Sequence, residues 1–70
     1  MRYFIVDDDR ASRIMLSQII NSTLGTVIGE ATNGEEAIPQ ILMTQPDFVL
    51  IDLLMPNLDG IATMERLHEN

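Results

Sequence analysis

Phe4-Ile5-Val6-Asp7-Asp8-Asp9 and Phe48-Val49-Leu50-Ile51-Asp52 decide the fold of this 70-residue chain. Each is a short apolar run that stops at aspartate. A run without polar alternation suits a strand buried on both faces, as in a parallel sheet. In open α/β sheets, ligands bind beyond the carboxyl ends of the strands. If the two strands are neighbours, Asp7, Asp8 and Asp52 converge on one crevice. Three carboxylates there repel one another unless a cation or protons neutralise them. Hard divalent cations such as Mg²⁺ prefer oxygen ligands and keep several waters. The aspartates therefore predict an acidic Mg²⁺ pocket.

Working outward, the chain reads as strand, helix, strand, helix, strand, helix. Residues 3–6 form the first strand. Asp8 or Asp9 can cap the following helix, whose N-terminus favours carboxylates. Met15, Leu16, Ile19, Ile20 and Thr23 form its expected inward face, with Ile14 and Leu24 outside it. Gly25 is the expected stop. Residues 26–31 read as a second strand. Asn33-Gly34 marks a turn, and Glu35 and Glu36 suit a first helical turn. Ala37, Ile38, Ile41 and Leu42 form the expected buried face of the second helix. Pro39 lies inside that helix, away from the apolar face, where it removes a hydrogen bond and predicts a kink toward solvent. Pro46 ends the helix, and residues 47–52 give the third strand and its entry. Pro56, Asn57, Asp59 and Gly60 make a loop. A third helix follows, with Ile61, Met64 and Leu67 inward. Alternating strands and helices imply βαβ units with right-handed crossovers.

Composition narrows the function. The formal net charge is −7 and the basic residues are four arginines, Arg2, Arg10, Arg13 and Arg66. Such a balance argues against direct nucleic-acid binding by this segment. There is no cysteine, so disulfides and thiolate metal sites are excluded. The apolar runs are too short to span a bilayer. Asp7 interrupts the first run, which argues against a signal peptide. No membrane association and a cytoplasmic location are the expectations. A 70-residue chain without a staple is small for an independent domain.

In order and spacing, several motifs together resemble the receiver domain of bacterial two-component response regulators. They are Asp7-Asp8 after an apolar strand, Arg13 five residues after Asp8, Asn33-Gly34-Glu35-Glu36-Ala37, and Asp52-Leu53-Leu54-Met55-Pro56-Asn57-Leu58-Asp59-Gly60. The last stretch matches the family pattern D-x-x-M-P-x-x-D-G at every specified position. A fainter resemblance, to the glutamine-responsive regulators of Gram-positive bacteria, rests on residues 4–10 and 50–56.

The resemblance implies a flavodoxin-like α/β fold, a doubly wound parallel sheet of five strands in order 2-1-3-4-5. This chain encodes the first three, so residues 1–70 are expected to be the N-terminal half of one receiver domain, a (βα)3 fragment with strand order 2-1-3. The family also uses a Thr or Ser after the fourth strand and a Lys after the fifth. Neither position is present, and the chain has no lysine.

By the same resemblance, Asp52 is the phosphoacceptor. Mg²⁺ is held by Asp8, Asp52 and the backbone carbonyl of Leu54, with Asp7 acting mostly through water. Capping accounts for one aspartate, Asp9, but not for three in a row. Met55-Pro56 and Asp59-Gly60 read as loop-shaping residues. Arg13 reads as a surface or salt-bridging side chain, and the methionines read as core filler. His68, near the C-terminus, is not expected to serve as a phosphodonor or ligand.

The expected function is that of a phosphorylation switch. A sensor histidine kinase phosphorylates Asp52, which biases a C-terminal output domain, DNA-binding and transcriptional by analogy. On this reading the chain is not an enzyme. The alternative is a non-phosphorylated interaction or dimerisation module of receiver-like fold, self-associating through the exposed third-strand side. Haloacid-dehalogenase-type phosphatases also place aspartate at a strand end. They need a second acid two residues later, where this chain has Leu54.

Overall fold

The computed structural model describes residues 1–52 and Leu67. Its elements run β1 (Arg2–Val6), α1 (Arg10–Ile19) with a one-turn π-helical extension (Ile20–Leu24), β2 (Thr26–Ala31), α2 (Gly34–Thr44) and β3 (Phe48–Ile51). The three strands form one sheet in the order β2-β1-β3. Both pairings are parallel, as the expected crossovers require. The expected loop at 56–60, the Leu54 carbonyl, and Ile61 and Met64 of the third helix lie outside the described residues.

Central β1 carries the most buried side chains, Phe4, Ile5 and Val6, because it is paired on both edges and covered on both faces. Phe4 and Val6 point to the α2 side and cluster with Ala31, Ala37 and Ile41. Val49, Ile51 and Leu67 pack against that cluster, so Leu67 faces inward as expected. Ile5, between Phe4 and Val6, belongs to the opposite face, as the two-residue period of a strand dictates. There it borders a groove with Leu16 and Leu50.

The register against β2 slips once. Tyr3 pairs with Val27, but Phe4 pairs with Gly29. Ile28 is thus the extra residue of a bulge. Gly29 has a steric reason to be there. A Cβ at that position would lie 2.5 Å from the Phe4 ring, so the ring occupies the space that any side chain would need.

The first helix departs from its expected face. Met15 and Ile19 are about half exposed, and Thr23 is exposed. The stripe turned to the sheet is Ser12, Arg13, Leu16, Ser17 and Ile20. It lies one position away from the reading based on hydropathy alone. Arg13 and Ser17 both reach Glu30 on β2, so polar contacts with the sheet, as well as apolar ones, set the rotation of α1. Gly25 does end this helical segment. Its backbone is extended (φ 163°). A Cβ there would fall 2.1 Å from the Met1 carbonyl oxygen, which itself accepts from the Thr26 amide. Close approach of two backbones therefore requires the glycine.

The second helix begins at Asn33, whose side chain accepts from the Glu36 amide at 2.9 Å. Gly34, Ala37, Ile38 and Ile41 are buried, whereas Leu42, expected among them, is 43% exposed. Pro39 faces solvent, as expected, and the helix continues through it to Thr44. Gln45 closes the helix in the left-handed region (φ 49°). The Arg2 guanidinium donates to the carbonyls of Thr44 and Gln45 and so satisfies this helix end.

Candidate functional site

The carboxyl ends of β1 and β3 lie side by side because Val6 pairs with Ile51. One residue further on, the Asp52 amide donates to the Val6 carbonyl at 2.9 Å. The Asp7 amide donates to the Ala31 carbonyl of β2 at 3.0 Å. Parallel pairing thus continues one residue past the strands on both sides of β1. This fixes where the aspartates begin.

Asp7, Asp8 and Asp52 converge. One carboxylate oxygen from each can be chosen so that all lie within 4.8 Å of one another. Asp7 is buried, Asp52 half-buried and Asp8 exposed. Asp7 Oδ1 accepts from the Asp9 amide at 2.9 Å, which tightens the turn into α1. Asp9 points elsewhere. It caps α1, accepting from the Ser12 amide at 3.2 Å and the Ser12 hydroxyl at 2.7 Å. Those bonds, the hydroxyl's first, hold its carboxyl below the ordinary value of 3.8. The run of three aspartates therefore divides into one cap and two residues facing Asp52.

Below the cluster opens a cavity of about 250 Å³, lined by Ile5, Leu16 and Leu50 and, nearer the strand ends, by Val6, Ile51, Asp7 and Asp52. Its apolar walls lower the local dielectric, which strengthens repulsion among the carboxylates and attraction to any cation.

This donor set suits a hard cation, since it is made only of oxygens. Two oxygens bound directly to one Mg²⁺ can be at most about 4.2 Å apart, twice the usual ligand distance. A spread of up to 4.8 Å accommodates two direct ligands and a third reached through water. The fourth residue expected here, Leu54, lies outside the described residues.

Sequence reasoning treated Arg13 as a salt-bridging side chain, and it does pair with Glu30 at 3.5 Å. It also donates from Nη1 to the Asp7 carbonyl at 2.8 Å, a contact that the sequence reading missed. Its signal was available in the spacing. Arg13 lies one helical turn after the cap Asp9, and helical side chains lean toward the N-terminus.

A parallel sheet with helices alternating along the chain, and acidic residues gathered at the carboxyl ends of adjacent strands, defines an open α/β domain with its site in the usual crevice. Comparison with known proteins narrows this class. The family model for the response regulator receiver domain matches residues 3–70, and the chain belongs to that family. Its fold is accordingly flavodoxin-like, and it is a signalling module of two-component systems.

Among its relatives is the transcriptional regulatory protein GlnL of Bacillus subtilis (strain 168), 49% identical over 69 residues, which cover 96% of this chain and 22% of that protein. Chemotaxis protein CheY of Thermotoga maritima is 41% identical over 66 residues, 94% of this chain and 55% of that one. The crystal structure of the response regulator domain of Thermotoga maritima CheB superposes with a TM-score of 0.91 at 34% identity, covering 99% of this chain and 52% of that one. A CheX-CheY-BeF3-Mg+2 complex from Borrelia burgdorferi gives the same TM-score at 32% identity, covering 99% and 53%. The chain thus spans about half the length of the solved receiver chains it matches and a smaller share of most curated relatives.

Proposed function

We propose that residues 1–70 are the N-terminal half of a receiver domain in which Asp52 accepts a phosphoryl group from a sensor histidine kinase. The observation that carries this reading is the convergence of Asp7, Asp8 and Asp52 within 4.8 Å at the ends of adjacent parallel strands. A carboxylate oxygen of Asp52 attacks phosphorus. The phosphorus–nitrogen bond of a phosphohistidine breaks, the imidazole leaves neutral with the proton already on its other ring nitrogen, and an acyl phosphate forms on Asp52. Phosphoryl transfer depends mostly on positioning and on neutralising charge at the phosphoryl oxygens. Mg²⁺ supplies that neutralisation when bound. Asp8, Asp52 and the Leu54 carbonyl are the groups that would hold it, with Asp7 acting through water. A solved relative described as a complex containing BeF3 and Mg+2 supports this choice of cation.

The signal then passes to an output domain outside this chain. GlnL, a transcriptional regulatory protein, favours a transcriptional output. The cytoplasm is the matching location. Among the described residues no helix is long and apolar enough to cross a membrane.

The test is labelling by a small phosphodonor with Mg²⁺, in the intact protein that contains this chain. Label appears on Asp52, is absent in Asp52→Asn, and does not form when Mg²⁺ is chelated beforehand. Acid-stable label persisting on Asp52→Asn would overturn the assignment. The 70-residue chain alone labels poorly, because it lacks the family's distal lysine.

One observation favours a second reading, self-association. Phe48 is 46% and Leu50 37% exposed on β3, and Tyr3 stacks on Phe48 with ring centroids 5.1 Å apart. This apolar strip beside the third strand is a surface on which a second copy can dock.

A further inference from the structure

Arg13 is one of the least exposed charged side chains near the cluster, with 16% of its side chain accessible, and the proposed chemistry does not use it. Its guanidinium joins three elements. Nη1 donates to the Asp7 carbonyl just beyond β1 at 2.8 Å. Nε lies 3.5 Å from Glu30 Oε1 on β2. The side chain itself rises from α1. Glu30 is held in turn, since its Oε2 accepts from the Ser17 hydroxyl at 3.3 Å, and its backbone pairs in register with Ile5.

The Asp7 carbonyl belongs to the peptide unit that leads into Asp8. That unit is planar, so fixing its oxygen fixes the direction in which the Asp8 nitrogen and Cα leave. The Asp7 amide is already fixed on Ala31, and the Asp7 carboxylate by the Asp9 amide. The guanidinium supplies the remaining restraint. We propose that Arg13 is a positioning residue for the acidic cluster: by holding the Asp7–Asp8 peptide against β2 through Glu30, it sets the spacing of the Asp7 and Asp8 carboxylates against Asp52. The inference rests on the cation reading above.

Arginine suits the task because its planar fork serves two acceptors at once and stays charged at every relevant pH. A lysine ammonium is a point donor that reaches one acceptor well. Groups that orient a metal ligand from outside typically change affinity by 10- to 100-fold when removed. The expectation for Arg13→Gln is a loss of Mg²⁺ affinity of about tenfold. Arg13→Lys should recover part of it, and Glu30→Gln should give a smaller loss in the same direction.

The experiment measures two quantities on the full chain, with far-UV circular dichroism confirming that each variant is folded. The first is the Mg²⁺ dissociation constant, from amide chemical shifts during titration. The second, without metal, is hydrogen exchange at two amides: Asp9, bonded to Asp7 Oδ1, and Ala37, bonded to the Asn33 carbonyl in α2. Faster exchange at Asp9 with Ala37 unchanged, together with weakened binding and partial lysine rescue, supports the positioning role. Exchange rising equally at both amides would reduce Arg13 to a general brace and overturn it. Wild-type binding with an unchanged constant in Arg13→Gln overturns it while leaving the cation reading intact. A wild-type chain that does not respond to Mg²⁺ overturns both.

Discussion

Asp9 shows how neighbouring residues of one type take different roles. It sits between Asp8, which faces Asp52, and the first turn of α1, whose Ser12 amide and hydroxyl it accepts. Those bonds, with smaller contributions from the Ala11 amide and the Arg13 charge, lower its pKa from 3.8. A carboxyl whose native pKa is depressed stabilises the fold fully above its unfolded value and loses that contribution as pH falls through the native value. Asp9→Ala should therefore lower the urea midpoint at neutral pH by an amount that holds down to about 3.8 and then shrinks with further acidification. Urea titrations of both chains at several pH values measure the difference. A difference that grows in acid would contradict the capping role. The sequence placed a cap within Asp8 or Asp9 because short acidic side chains favour that position. The choice between them depended on the turn geometry set by the Asp9 amide on Asp7.

At the scale of elements, strand positions were legible because apolar runs and turn residues agree there, whereas the order 2-1-3 was legible through the family resemblance. The cluster of Asp7, Asp8 and Asp52 was expected on condition that the first and third strands are neighbours, which the pairing of β1 with β3 meets. Helix rotation was less legible. Hydropathy placed Met15, Leu16, Ile19 and Ile20 inside; Leu16 and Ile20 do face the sheet, but Arg13 and Ser17 anchor α1 to Glu30 and leave Met15 and Ile19 outside. A partly exposed ion pair of this kind leaves no periodic apolar signal. The bulge at Ile28 was also hidden, as was the packing of the Phe4 ring into the space a Gly29 side chain would need.

Pro39 gives the sharpest test at the same scale. It is the sixth residue of α2, exposed, and has no amide to offer the Glu35 carbonyl. Proline in a helix interior costs about 3 kcal/mol relative to alanine. Its restriction of the unfolded chain returns roughly 0.4–1 kcal/mol. Pro39→Ala should raise stability by about 2 kcal/mol in denaturant unfolding. A neutral or destabilising result would mean that the proline is accommodated by packing that a straight helix would lose.

For the whole molecule, folding depends on how much apolar surface the chain can cover. Phe48 and Leu50 on β3 remain substantially exposed, as do Ile14, Met15, Ile19 and Leu42 on the helices. A chain of this size without staples is marginal as a monomer, so covering the β3 strip brings a direct gain. We expect the isolated chain to self-associate, with average mass in sedimentation and the unfolding midpoint both rising with protein concentration. A compact monomer with concentration-independent unfolding would contradict this. The charge of −7 opposes association, so added salt should favour it by screening.

The same molecule-wide arrangement, strand ends from opposite parts of the chain meeting in one acidic crevice, underlies the functional reading. A Mg²⁺ titration followed by amide chemical shifts tests it most directly, run against a sodium control of equal ionic strength. The account predicts saturable shifts concentrated at Asp7, Asp8 and Asp52, weak in affinity and abolished by Asp8→Asn. Shifts spread evenly over the acidic surface, or unchanged in Asp8→Asn, would contradict it.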